Sequence, residues 1–236
     1  MKTIQTDVGP LMIPDGCHSL INYQDDGRYN EHKLTDLVGQ ALSRNNDLFV
    51  DIGANIGYYT RYGSMRSKRA IAIEASLRNY MMLCSNASDL RNVTLFRAMA
   101  WNLDVQGELC MDELNCADNR PFGDDRRKEL VQKMRLDTIL SNYEQVHGEI
   151  GNMVVKIDTQ GSDHIVLEGF GDYIDRIDEC FVELWPYGMK ETDGSTIESV
   201  TALYRQWGFG VSCVEMPLED VKDDAYVNLR LRRDTA

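Results

Sequence analysis

The stretch DLFVDIGANIGYYT, residues 47–60, runs from an apolar, strand-like segment into a glycine-containing turn and on into a helix. A turn of this kind after a first strand is where open α/β sheets meet their ligands, beyond the carboxyl ends of the strands. Its core reads Asp51-Ile-Gly53-Ala-Asn55-Ile-Gly57. A dinucleotide fingerprint counted from Gly53 needs Gly at 55 and Gly or Ala at 58, where this chain has Asn55 and Tyr58. An aspartate at the strand end turns negative charge toward the ligand. That disfavours a pyrophosphate and favours a ligand that carries an ammonium group, as S-adenosylmethionine does.

The next apolar run, AIAIEAS, ends in Glu74-Ala75, and 74 minus 51 places Glu74 23 residues after Asp51. The spacing is close to the roughly 20 residues at which an acid accepts hydrogen bonds from ribose hydroxyls. The two acids are expected to grip opposite ends of one nucleoside. The plainer alternative is a strand-to-helix turn at Gly53 and Gly57 and a surface strand end at Glu74; the two features in register favour the site.

Working outward, Leu34, Leu37, Val38, Ala41 and Leu42 fall three and four apart, which makes HKLTDLVGQALSR an amphipathic helix. After it strands and helices alternate: LFVDIG, YYTRYGSMRS, AIAIEA, LRNYMMLCSNASDL, VTLFRAMA. This is the order of a parallel sheet with crossovers. The alternation resumes with LDTILSNYEQV (helix), NMVVKID (strand), SDHIVLEGFGDYI (helix) and ECFVELWP (strand). STIESVTALYRQWG follows as a helix closed by Gly208, then FGVSCVEM and AYVNLRLR as strands. Only MPLEDVKDD lies between those last two, too short for a crossover helix, so they should pair antiparallel. VQGELCMDE reads as a small hairpin about its Gly, and NCADNRPFGDDRRKE as a polar surface loop.

The 236 residues carry 25 basic and 38 acidic side chains, a formal charge of −13, which argues against nucleic acid and anionic lipid as partners. Arg126-Arg127-Lys128 is offset by Asp124 and Asp125, and Arg230, Arg232 and Arg233 read as solvated charges. The six cysteines form no CxxC pair and the four histidines no zinc spacing, so reduced thiols in a cytoplasmic protein are expected. No run approaches the ~18 apolar residues of a membrane span, and no leader-like start is present, so a soluble, unexported chain is expected.

Taken together, these segments resemble the FkbM family of S-adenosylmethionine-dependent methyltransferases. FVDIGANIGYYT is similar to the family's first motif, AIAIEAS to its second-strand motif ending in the acid, and MRLDTIL to a later segment. VVKIDTQGSDHIVLEGF resembles its Lys-Ile-Asp-x-Glu-Gly-x-Glu block, and FVELWP the strand after it; the likeness spans about residues 47–187. Gln160 and Asp163 each stand where the family usually has Glu. The resemblance implies a class I methyltransferase (Rossmann-like) fold: a three-layer α/β sandwich whose mostly parallel seven-stranded sheet has an antiparallel edge pair. It also implies that Asp51, Gly53, Asn55, Gly57 and Glu74 bind the cofactor. On this reading residues 31–236 are the methyltransferase domain, and residues 1–30 a β-rich extension or cap outside the core.

Methyl transfer needs the acceptor in line with the carbon–sulfur bond, and a hydroxyl acceptor needs a base or a metal. VVKID brings Lys156 and Asp158 to the carboxyl edge of the sheet, and FVELWP brings Glu183. Asp158 is the leading acceptor-side carboxylate, its alternative a helix cap; Glu183 is its partner or a mere ion-pair acid, and Lys156 a catalyst or a buried salt-bridge cation. His164 suits neutral pH as a base but also fits an ordinary helix histidine. These ligand types would suit a divalent ion with open positions, but no metal is predicted. Tyr58 and Tyr59 either wall the methionine end or pack the first helix. Ala75, Ala98 and Met99 are expected to line an adenine slot, with Trp101 stacking on the base or covering the core, and Met81, Met82 and Leu83 read as core.

The expected activity is O-methylation of a small-molecule hydroxyl, on a sugar, lipid-linked or polyketide-type acceptor. The alternatives are an NAD-linked oxidoreductase, a nucleoside-binding module without catalysis, and an RNA-directed enzyme that the net charge disfavours.

Overall fold

The computed structural model describes residues 1–14, 29–112, 115, 117–123 and 127–233. Its strands are β1 (Lys2–Thr6), β2 (Gly9–Ile13), β3 (Leu48–Ile52), β4 (Arg69–Glu74), β5 (Val93–Arg97), β6 (Met99–Trp101), β7 (Val105–Met111), β8 (Arg127–Arg135), β9 (Met153–Ile157), β10 (Ile177–Leu184), β11 (Phe209–Cys213) and β12 (Val227–Arg233). Its helices are α1 (His32–Arg44), α2 (Tyr58–Ser64), α3 (Leu77–Asn86), α4 (Leu136–His147), α5 (Asp163–Glu168), α6 (Pro186–Asp193) and α7 (Ile197–Gln206).

Seven strands form the main sheet in the order β11-β12-β10-β9-β3-β4-β5. β3, β4, β5, β9 and β10 pair parallel, and β12 runs antiparallel to both its neighbours, β10 and β11. The antiparallel pair expected from the short MPLEDVKDD link is present, with β12 inserted inside the sheet and β11 at its edge. β3 and β9 are buried at every position, as strands covered by helices on both faces must be.

Alternation along these strands sorts their side chains between two layers. Leu48, Val50, Ile52, Met153, Val155 and Ile157 join Leu136, Ile139 and Leu140 of α4 in the larger core. Phe49, Val154 and Phe181 join Leu34, Val38 and Leu42 of α1 and the tyrosines of α2 in the second. By the same period of two, Asp51, Lys156 and Glu183 fall on the α1–α2 face. Asp51 and Lys156 are direct register partners on adjacent strands.

Four expectations are corrected. VTLFRAMA is two strands: the chain leaves the main sheet after Arg97, and Met99–Trp101 pairs with β8 in a separate three-stranded sheet. VQGELCMDE is one strand, β7, whose antiparallel partner is β8, so the hairpin closes over the intervening polar segment and residues 127–130 belong to a strand. Residues 1–13 form a β-hairpin, yet they are not outside the core. Val8, Leu11 and Ile13 are fully buried, Arg61 donates to the Val8 carbonyl, and Asn86 bonds both backbone groups of Met12. The apolar piece Ser19–Tyr23 lies outside the described residues. Finally Met81, read as core, is 59% exposed, whereas Leu83 is buried.

The Arg-rich last strand is structural: Arg230 pairs with the buried Glu179, which also receives Arg44 at 2.6 Å, and Arg233 bonds the carbonyls of Trp207 and Ile174. Cys84, Cys180 and Cys213 are free thiols, and Cys17 and Cys116 fall outside the described residues. Among the described residues no helix is long and apolar enough to cross a membrane.

Candidate active site

The turn after β3 adopts left-handed backbone at Gly53, Asn55 and Gly57 (φ +74°, +52° and +97°). Gly53 has no alternative, because a Cβ there would lie 1.9 Å from the carbonyl oxygen of Asp158. Asn is the side chain best tolerated in this region, which explains how Asn55 stands where a dinucleotide turn has Gly. The N–H groups of Gly53 and Ala54 both donate to the Ile73 carbonyl, that of Gly57 to Ala54, and that of Asn55 to Glu74 Oε2 at 2.9 Å. These four N–H groups are consumed by the protein and none is left to cradle a phosphate.

Asp51 is 1% exposed beneath α2. Its Oδ2 accepts from the Thr60 hydroxyl at 2.6 Å, and its Oδ1 is buried with no hydrogen-bond partner. Burial raises its pKa, against the opposing pull of Lys156 and Thr60. A carboxylate left half-satisfied in this way is suited to a cation arriving from outside the chain. It lines a small recess of about 40 Å³ with Tyr58, Tyr59, Lys156 and Asp158.

Beside that recess lies a cavity of about 290 Å³, at the small end of the ~300–1,000 Å³ usual for ligand pockets. Gly53, Asn55 and Asp158 border both spaces. One end of the cavity is walled by Ile73, Ala75, Ala98, Met99, Ala100 and Leu109, the apolar slot expected for a flat base. Glu74 stands at its floor, its Oε1 held by the Ser76 N–H at 2.8 Å. Burial pushes this carboxyl up to about 7 despite the Ser76 and Asn55 N–H groups, with Asp51 and Asp158 reinforcing the rise. Each oxygen of Glu74 retains a lone pair for a hydroxyl.

The opposite end holds Glu31, Asp158, Gln160 and Glu183. Asp158 Oδ2 receives the Lys156 ammonium at 3.2 Å. Gln160 Nε2 lies 2.9 Å from Asp158 Oδ1 and also 2.9 Å from Glu183 Oε2. Burial alone would depress Lys156, but the charges of Asp158, Asp51 and Glu31 overcome it and hold the ammonium above the ordinary lysine range. Burial, then Asp158, Asp163 and Glu31, push the Glu183 carboxyl well above its ordinary value. Asp163, 2% exposed, receives the Glu183 N–H and the Thr159 hydroxyl, and burial with Asp158 raises it to about 7. Tyr29, Tyr226 and the segment around Asn115, Asp118, Asn119 and Pro121 also line the cavity.

The structure therefore brings Asp51, Gly53, Asn55, Tyr58, Glu74, Ala75, Ala98, Met99, Lys156, Asp158 and Glu183 to two adjoining spaces. Gly57 shapes the turn from behind, its nearest neighbour being Leu83. His164 does not join them. It is buried, with Nε2 at 2.9 Å from Asp193 and 3.2 Å from Ser195, and ties α5 to the segment after α6. Trp101 also stays away from the cavity, under the ammonium of Lys133 at 3.8 Å. Tyr59 packs in the second core and lies under Lys156, its hydroxyl bonded to Glu31. Sequence reasoning missed Glu31, Leu109 and Tyr226 and read Asp163 only as a departure from a motif. Glu31 sits just before α1, where an acid reads as a cap. Among the described residues no three His, Cys, Asp or Glu side chains converge to hold a metal.

No protein-family model matches the chain, and no curated protein matches it. Solved structures do. A methyltransferase FkbM from Methylobacillus flagellatus aligns with a TM-score of 0.51 and 14% identity over 79% of this chain; this chain spans 43% of that one's length. A precorrin-6y C5,15-methyltransferase from Geobacter metallireducens aligns with a TM-score of 0.51 and 13% identity, over 98% of this chain and 100% of its own. An rRNA methylase from Streptococcus thermophilus aligns with a TM-score of 0.49 and 15% identity over 87% and 97%. At these identities the likeness to the first two shows the fold: a Rossmann-like, class I methyltransferase sheet of seven strands with an antiparallel edge pair.

Proposed function

We propose that this chain is an S-adenosylmethionine-dependent methyltransferase acting on a hydroxyl of a small-molecule acceptor. The observation that carries the reading is Asp51: a fully buried carboxylate with one unpartnered oxygen, beside a turn in which the N–H groups of Gly53, Ala54, Asn55 and Gly57 are already bonded within the chain. That pairing suits a nucleoside with a cationic tail and is poor for a pyrophosphate, which needs free N–H groups and no facing acid. It weighs against the NAD-linked alternative for the same reason.

In this reading Asp51 holds the ammonium end, Glu74 the ribose hydroxyls, and the slot of Ala75, Ala98, Met99 and Leu109 the adenine. When bound, S-adenosylmethionine supplies a methyl group on a sulfonium. Asp158, ion-paired with Lys156 and in contact with Gly53, is the group that orients the acceptor hydroxyl and takes up its proton. Glu183, pushed toward its neutral form, orients a second acceptor atom.

The acceptor is read as uncharged or cationic. Five carboxylates (Glu31, Glu74, Asp118, Asp158 and Glu183) line the main cavity and no Lys or Arg does among the described residues. With the net charge of −13, such a chamber repels phosphates and carboxylates, which disfavours nucleic acid. Reduced thiols and a cytoplasmic setting fit the same reading. Calorimetry with S-adenosylhomocysteine and NAD tests it: heat with the first and none with the second is expected, and the reverse would overturn it.

A further inference from the structure

The acceptor side holds more acid than base. Among the described residues, Glu31, Asp51, Asp158 and Glu183 share one nearby ammonium, that of Lys156, and it reaches only Asp158 within 4 Å. The pairing of β9 with β10 sets Asp158 beside Glu183, and one amide nitrogen bridges their side chains. Gln160 Nε2 has two hydrogens and two carboxylate neighbours, each at 2.9 Å, so one hydrogen serves each acid. The opposite amide orientation would give up both of these donated hydrogen bonds.

The backbone is shaped for this contact. Gln160 is left-handed at φ +54°, a conformation unfavourable for a non-glycine residue. Gly161 follows at φ +91°, where a Cβ would lie 2.4 Å from the backbone of Gly188. This sharp bend after β9 turns the glutamine side chain back between the ends of β9 and β10.

We propose that Gln160 is the positioning residue of the acceptor side: its amide stands where a bridging cation would stand, holding Asp158 and Glu183 together without a divalent ion. With its nitrogen turned to the two acids, as here, Gln160 offers a cation no ligand oxygen. Two acids and a third carboxylate in the donor's place make a good one for a hard cation. The identity of the residue at 160 therefore decides whether this pair is organised by the protein or by a metal. That the pair faces an acceptor rests on the methyltransferase reading; the bridging itself does not.

The test compares the full chain with its Gln160→Glu, Asp158→Asn and Gln160→Glu/Asp158→Asn variants, using manganese(II) followed by electron paramagnetic resonance. The wild type is expected to show no Asp158-dependent site. Gln160→Glu is expected to gain one, at least about tenfold tighter than any wild-type binding, and the double variant to lose it. Gln160→Asp serves if Gln160→Glu does not fold. In ¹H–¹⁵N spectra of the wild type, the two Gln160 side-chain protons should respond separately, one to Asp158→Asn and the other to Glu183→Gln. Wild-type manganese binding through Asp158, a folded 160 carboxylate variant that gains no site, or amide protons indifferent to both acid variants would each overturn the proposal. Calorimetry with S-adenosylhomocysteine on the wild type reports separately on the cofactor reading, which could fail while the manganese comparison stands.

Discussion

The two ends of the cavity are built by different means. At the nucleoside end, backbone does the shaping: three left-handed residues and four N–H groups satisfied within the turn and the next strand, with Asp51 and Glu74 only 23 residues apart. At the acceptor end, side chains do it: Glu31, Asp158, Gln160, Asp163 and Glu183 come from three separate places and are organised by one ammonium and one amide. Backbone geometry makes a rigid, general-purpose grip, and clustered ionisable side chains make one whose properties a single substitution can change. A binding function therefore concentrates in the first region and reaction and acceptor choice in the second.

Four measurements would break or sharpen that contrast. The largest effect is expected for Asp158→Asn, which should lower methyl transfer about 10²–10⁴-fold while leaving S-adenosylhomocysteine affinity within a few-fold. Comparable losses of both would erase the division between the ends. Gly53→Ala strikes where they touch: its Cβ would collide with the Asp158 carbonyl at a left-handed position. It should cost about 3 kcal/mol of stability or more, read from denaturant unfolding. Asp51→Asn should weaken S-adenosylhomocysteine by about 100-fold in calorimetry, the scale of a lost charged hydrogen bond, with little change in melting temperature.

The smallest effect concerns pH. Asp163 keeps its proton in the folded chain up to about 7, against 3.8 for its ordinary value, so between those limits the folded state binds more protons than the unfolded. Its contribution to stability is full below 3.8 and is lost as pH rises toward 7, at roughly 1.4 kcal/mol per unit. Asp163→Asn removes that loss. Between about pH 5 and about pH 7 the variant's melting temperature should fall less than that of the wild type. An equal fall would mean that Asp163 is ionised in the folded chain.

The same contrast explains what could be read from the amino acids alone. The turn, Asp51 and Glu74 are local: alternation and glycine spacing place them, and period two along β3, β9 and β10 puts Asp51, Lys156 and Glu183 on one face, whereas Leu109 of the apolar slot comes from β7. The bridge from Gln160 to Glu183 spans 23 residues and depends on two consecutive left-handed positions that no hydrophobic pattern announces. Glu31 and Tyr226 are set against the site by packing between distant segments, and His164 is removed from it by Asp193 and Ser195, 29 and 31 residues further on. The small three-stranded sheet was hidden for another reason. RKELVQKMR is strongly charged and leaves most of its side chains in solvent or half-buried, so it lacks the alternation of a half-buried strand.

Strand β12 lies between β10 and β11, although the chain makes it after both. Until residues 227–233 emerge during synthesis, β10 presents an open edge and β11 has no strand to pair with. The edge beside Glu183 is thus closed last, by contacts reaching back some fifty residues, and a nascent or clipped chain ending before Val227 would expose a long apolar template for self-association.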